Sequence, residues 1–248
     1  MVSVRRYSVV LLVAASLCSA LLAQESCNSE AKLLLVPSQA QAARKSLNAT
    51  DESHGQVYFY DTPALDLLSQ GLILRLRKGT ASDLTAKLRP PERNRFFDPS
   101  GGNERYKCEV EITGGVENRS YSVQTNYVAG YVPEKGTELL PLLSPGQKRL
   151  LENSQIRIDW ARVKQVADIQ STTWTGRAPG SPGKLSLELW EWPNGRILEV
   201  STKTAPNAGP AAYTELENLA KKNGLARSPL QQSKTATALK EMAAVPAH

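Results

Sequence analysis

Charged residues recur two apart along this chain, and each pair sits among apolar neighbours. Glu30 and Lys32 form one pair, with Asn28 in line behind them. Arg75 and Arg77 lie between Leu72, Leu74 and Leu76, while Lys87 and Arg89 are flanked by Leu84 and Leu88. Glu109 and Glu111 are backed by Val110 and Ile112, Arg162 pairs with Lys164, and Glu199 lines up with Ser201 and Lys203. Residues two apart on a strand face the same side, so each pair marks one face. Taken singly, such a pair describes the solvated face of an antiparallel sheet. Taken together, acidic and basic pairs occupy separate strands, each opposed by apolar residues. If the apolar faces pack outward against helices, the charged faces line an interior. An interior of both signs suits a polyanion gripped by Lys and Arg, with Mg²⁺ or Mn²⁺ held by carboxylate oxygens.

Those faces need strands to carry them. Strands are expected over 29–36, 56–60, 72–78, 83–89, 106–113, 157–166, 185–192 and 196–204. Pro37 ends the first strand, and Ser38 can cap a short helix running to Leu47. Residues 48–55 read as a polar loop. Asp61-Thr62-Pro63 breaks the second strand before one helical turn, Leu65 to Ser69, closed by Gly71. Residues 90–102 form a loop rich in Pro, Arg, Asn and Gly. Gly114 and Gly115 are turn glycines, and Pro193-Asn194-Gly195 is a strong hairpin signal. Helices are expected over 144–153, 211–225 and 229–243. The result is a mostly antiparallel sheet with peripheral helices and no interdomain linker.

The 248 residues, 41% hydrophobic and 22% charged, exclude a disordered or collagen-like chain. A chain of this length needs no disulfide framework to fold. Lys and Arg number 30 against 24 acids, and the net charge of +6 suits an anionic partner. The only histidines are His54, in a polar stretch, and His248, at the terminus, which argues against His-based catalysis or a His-rich metal site. Nucleic-acid binding lacks support, because aromatics are few and no basic helix stands out. Arg5 and Arg6, the apolar run Val9 to Leu22 and the polar Gln24 to Ser26 read as a signal peptide over 1–23. An uncleaved anchor helix is the alternative. The mature chain is then periplasmic or secreted, with no stable membrane anchor. It keeps Cys27 and Cys108, which could form a bridge in an oxidising compartment.

The run YFYDTPALDLLSQGLILRLRK, Tyr58 to Lys78, resembles the strand-turn-strand core of the CYTH domain, a family of triphosphate tunnel metalloenzymes. LTAKLR, with Lys87, and CEVEIT, with Glu109 and Glu111, resemble its following strands. LELWE, with Glu188, ILEVSTK, with Glu199, and the C-terminal Ser233-Lys234 are similar to later elements. The resemblance implies an α+β fold: an eight-stranded antiparallel β-barrel, or tunnel, with peripheral helices. It implies one domain over 24–248, with tunnel strands over about 27–205 and C-terminal helices over about 211–243. It assigns Lys32, Arg75, Arg77, Lys87, Arg89, Arg162, Lys164 and Lys234 to phosphate binding. Glu30, Glu109, Glu111, Glu188 and Glu199 would hold Mg²⁺ or Mn²⁺. The sequence departs from the family pattern at Asn28 and Ser201, where the family carries glutamates. With Glu30 and Glu109 inward, Cys27 and Cys108 both face outward, which a disulfide requires but which does not by itself make one.

The resemblance implies a metal-dependent triphosphatase acting on triphosphate or polyphosphate, with water attacking the terminal phosphorus, and the signal-peptide pattern makes it an exported one. No side chain is singled out as catalytic. The alternative is a non-catalytic module that captures a small polyanion, favoured by Asn28 and Ser201. A third reading is a structural β-protein with solvated charged faces.

Overall fold

A computed structural model describes residues 27–89 and 104–244. The expected signal peptide and the whole of the 90–102 loop lie outside the described residues. Nine strands form a closed barrel: β1 (Asn28–Leu35), β2 (Ala49–Asp61), β3 (Leu72–Gly79), β4 (Asp83–Leu88), β5 (Arg105–Thr113), β6 (Val116–Asn126), β7 (Lys164–Gly176), β8 (Leu185–Trp192) and β9 (Gly195–Thr204). The helices are α1 (Ala40–Ser46), α2 (Asp66–Ser69), α3 (Gly136–Leu139), α4 (Pro145–Asn153), α5 (Gly209–Lys222) and α6 (Lys234–Ala243).

Strand neighbours around the barrel run β1, β5, β6, β4, β3, β2, β7, β8, β9 and back to β1. Every pair is antiparallel except β1 with β5, which is parallel and pairs Asn28 with Glu109 and Glu30 with Glu111. The expectation of eight antiparallel strands is therefore corrected to nine strands with one parallel seam. β6 was not expected, and β7 was expected only over its first three residues, 164–166. The β6 sequence VENRSYSVQTN has little apolar alternation, because its inward positions Asn118, Ser122 and Gln124 line a polar interior. Ala49 to Gly55, expected as loop, belongs to β2, where exposed polar residues pair with the Thr-rich end of β7. Residues 157–163 alternate like a strand but are not one. Asp159 turns the chain there: its carboxylate accepts from the Ala161 N–H, and its carbonyl accepts from the amides of Arg162 and Val163.

Period-two alternation fixes which face is which. On β3, Leu72, Leu74 and Leu76 are fully buried on the outer face, in a cluster with Leu84 of β4, Tyr121 of β6, and Leu150 and Leu151 of α4. A second outer cluster joins Ala31 and Leu33 of β1 and Val200 of β9 to Leu216 and Leu219 of α5. A one-residue slip of β3 would expose its three leucines, at about 2 kcal/mol each, so packing holds Arg75 and Arg77 inward. One end of the interior is apolar. There α6 sets Ala238 and Leu239 against Leu34, Phe59, Ile73 and Trp190.

Candidate functional site

The inward faces enclose a cavity of about 1230 Å³. Ten basic side chains line it, against five carboxylates, so most of the chain's positive surplus is concentrated in one enclosed space. The five acids are Glu30, Glu109, Glu111, Glu188 and Glu199, all expected from the sequence. The bases include the expected Lys32, Arg75, Arg77, Lys87, Arg89 and Lys234.

Three of the acids meet at the parallel seam. Glu30 on β1 and Glu109 and Glu111 on β5 each bring a carboxylate oxygen within 4.8 Å of the others. Lys32 Nζ lies 2.7 Å from Glu111 Oε1 and 3.2 Å from Glu30 Oε2. Lys87 Nζ donates to the same Glu111 oxygen at 2.8 Å, and Arg89 Nη2 donates to the other at 2.6 Å. Glu109 is held more loosely, with Lys203 at 3.7 Å and Lys87 at 4.0 Å. Burial by itself would raise the Glu111 carboxyl, but Lys32, Lys87 and Arg89 hold it well below the usual carboxylate range. Glu30 is lowered in the same way: burial works against the shift, and Lys32 together with Lys203 overcomes it. Burial pushes the Lys87 ammonium below the ordinary lysine range, despite Glu111.

The other two acids are organised by α6. Ser233 caps that helix with its side chain, which accepts from the Ala236 N–H, and this sets Lys234 at the first helical position. Lys234 is 8% exposed. Its ammonium bonds Glu188, lies 3.0 Å from Glu199 Oε1, and sits 4.4 Å from the centre of the Trp190 ring. Glu188 Oε1 also accepts from Ser171 Oγ at 2.9 Å, Trp190 Nε1 at 2.8 Å and Arg77 Nη2 at 3.3 Å. Burial opposes ionisation of Glu188, and the Lys234 and Arg77 charges override it, so its carboxyl is strongly lowered.

Arg75 Nη2 donates to Asp83 Oδ1 and Thr85 Oγ1, both at 3.2 Å. Asp83 was not singled out in the sequence, although it faces the same side as Lys87 four residues on. The Nε–H groups of Arg75, Arg77 and Arg89 are buried without a hydrogen-bond partner, and they are donors that an anion in the cavity could use. Lys107 also lines the cavity and was missed. Its signal was legible, since it lies two residues before Glu109 and shares that face. Arg162 and Lys164 are a correction. Neither lines the cavity: Arg162, on the Asp159 turn, pairs with half-exposed Asp66 at 3.4 Å, and Lys164 begins β7 as an exposed residue. Asn28 is exposed at the first position of β1, and Ser201 lines the cavity opposite Lys32.

The seam trio is an all-oxygen donor set of the kind hard divalent cations take. Glu30 and the loosely held Glu109 leave lone pairs for such an ion, so the residues present fit it. Outside the seam, Cys27 and Cys108 form a disulfide.

No family model and no curated protein matches the sequence. Solved structures do match in fold. A Hippeastrum protein, named for adenylyl cyclase and reported to have a dominant triphosphatase activity, aligns over 86% of this chain and 95% of its own. The TM-score is 0.59 and the identity 19%. A Bacillus halodurans protein assigned as an adenylate cyclase aligns over 86% and 97%, with a TM-score of 0.56 and 12% identity. The chain has the CYTH-type tunnel fold. In that tunnel, cations on β3 and β4 face a carboxylate cluster on β1 and β5 across one enclosed space.

Proposed function

We propose that this chain binds a triphosphate or short polyphosphate inside its tunnel and hydrolyses the terminal phosphate outside the cytoplasm. The observation that carries the reading is the convergence of ten basic side chains and the Glu30–Glu109–Glu111 trio on one cavity. Arg75, Arg77, Lys87 and Arg89 would neutralise and align the phosphate chain, which supplies most of the catalysis in phosphoryl transfer. The trio would hold Mg²⁺ or Mn²⁺, which when bound would neutralise phosphate oxygens beside the terminal phosphorus. A phosphate arriving at Lys87 and Arg89 would release part of their grip on Glu111 and free that carboxylate for the ion. The Hippeastrum protein's triphosphatase activity agrees with this chemistry. Export is supported by the Arg5-Arg6 and Val9-to-Leu22 pattern together with the disulfide.

The experiment is phosphate release from tripolyphosphate with Mg²⁺ or Mn²⁺, beside a Glu109→Ala/Glu111→Ala variant. Release that is lost in the variant supports the hydrolase. A second reading, a binding module without turnover, draws on Asn28, Ser201 and the three cations already bonded to Glu111. It expects no release and an affinity for tripolyphosphate that falls with salt and is unchanged by EDTA.

A further inference from the structure

We infer that the Cys27–Cys108 disulfide is a positioning element of the carboxylate trio. The inference rests on the metal-holding part of the function proposed above. The trio is split across the parallel seam, with Glu30 on β1 and the other two acids on β5. Its geometry therefore depends on the register between two strands 81 residues apart at the bridge. Slipping that register by one residue would turn Glu109 and Glu111 outward and leave Glu30 alone. Among the described residues, no hairpin joins β1 to β5 at the end of the seam where Asn28 pairs with Glu109. The β5–β6 hairpin lies at the opposite end, beyond Thr113, and β1 is paired on its other side with β9, from Ser29 opposite Thr204 to Leu35 opposite Leu198. The bridge sits at this end of the seam, one residue outside the Asn28–Glu109 pair, on the outer face. It ties the strands covalently where the trio begins. Arg75 and Arg77, the anion-gripping cations of β3, bond Asp83, Thr85 and Glu188 rather than the trio and do not depend on it.

The test is Mn²⁺ titration, read by electron paramagnetic resonance, of the oxidised chain, of the Cys27→Ser/Cys108→Ser variant and of the wild-type chain reduced and desalted. Tripolyphosphate affinity in EDTA is measured on each by calorimetry. The expected result is Mn²⁺ affinity about tenfold weaker in both thiol-free and reduced forms, the scale of lost support around a metal site. Tripolyphosphate affinity should stay within about twofold by this reasoning, and reoxidation should restore Mn²⁺ binding to the reduced chain. Unchanged Mn²⁺ affinity overturns the inference. So does a parallel fall in both affinities, which is general loosening, or an oxidised chain that binds no Mn²⁺. The expected Mn²⁺ pattern without phosphate release supports the inference and removes the hydrolase reading instead.

Discussion

The seam trio and the α6 pair, Glu188 with Glu199, are both buried acid clusters in the same tunnel, yet they are compensated in different ways. Lys234, from one helix, satisfies Glu188 and Glu199 together, and Ser171, Trp190 and Arg77 complete the bonding of Glu188. Nothing need arrive for that cluster to be neutral and hydrogen-bonded. At the seam, three carboxylates share their cations unevenly, with Glu111 holding three and Glu109 only distant ones. Two acid clusters of similar composition thus serve different purposes. One fastens α6 into the barrel, and the other, on the function proposed above, would be completed by an ion and a polyanion.

Removing Lys234 is the severest way to break this comparison. Lys234→Ala would leave two buried carboxylates without their ammonium, and breaking such a pair costs about 3–5 kcal/mol. Urea unfolding would read it as a lower midpoint with unchanged slope. A loss under about 1 kcal/mol would mean the α6 cluster is not a fastening. The seam should behave in the opposite sense. Glu109→Ala, which removes only the loosely held acid, should lower phosphate release by about a hundredfold while leaving the thermal midpoint near that of the wild type. If the midpoint falls as far as it does in Lys234→Ala, the distinction between the clusters collapses.

The pH dependence of stability sharpens the comparison further. The Glu188 carboxyl is depressed in the folded chain, so its contribution is complete above the unfolded value of about 4.3. It is lost as pH falls through that value toward the lower native one. Glu188→Gln should start less stable at neutral pH and show a shallower acid limb, measured as thermal midpoints between about pH 2 and 6. Identical limbs would contradict the assignment. The smallest effect belongs to Arg162 and Lys164. Outside the cavity, Arg162→Ala and Lys164→Ala should change tripolyphosphate affinity by less than about twofold, as expected for exposed charges. Arg75→Ala should cost roughly tenfold, since it removes a charged donor from the tunnel wall.

The inward positions could be found from spacing because the outer faces announce themselves. Leu72, Leu74 and Leu76 must be buried against a helix, and that forces Arg75 and Arg77 to the other side. The same logic places Glu109 and Glu111 opposite Val110 and Ile112. It fails on β6 and on the first half of β2, where polar residues occupy both faces and burial leaves no alternation to read. It misleads over 157–163, where Ile158 and Trp160 pack on the outer cluster from a turn rather than a strand. Arg162 and Lys164 were drawn into the site by that false strand.

By itself, then, the sequence determined the barrel class, the inward-facing charge and thirteen candidate ligand residues, eleven of which line the tunnel. The inward-facing charge follows from a period of two and from the cost of exposing leucine, both local properties of the chain. The barrel and candidates such as Glu188 and Lys234 come from the resemblance to the CYTH domain. Only the tertiary structure decided that β1 meets β5 in parallel, which brings Glu30 to Glu111 and Cys27 to Cys108. It alone divided the acids into a trio that can accept an ion and a pair that Lys234 neutralises. Strand alternation says which way a side chain points. It does not say which strand lies next to it, because partner choice depends on closing a barrel through contacts distant in sequence.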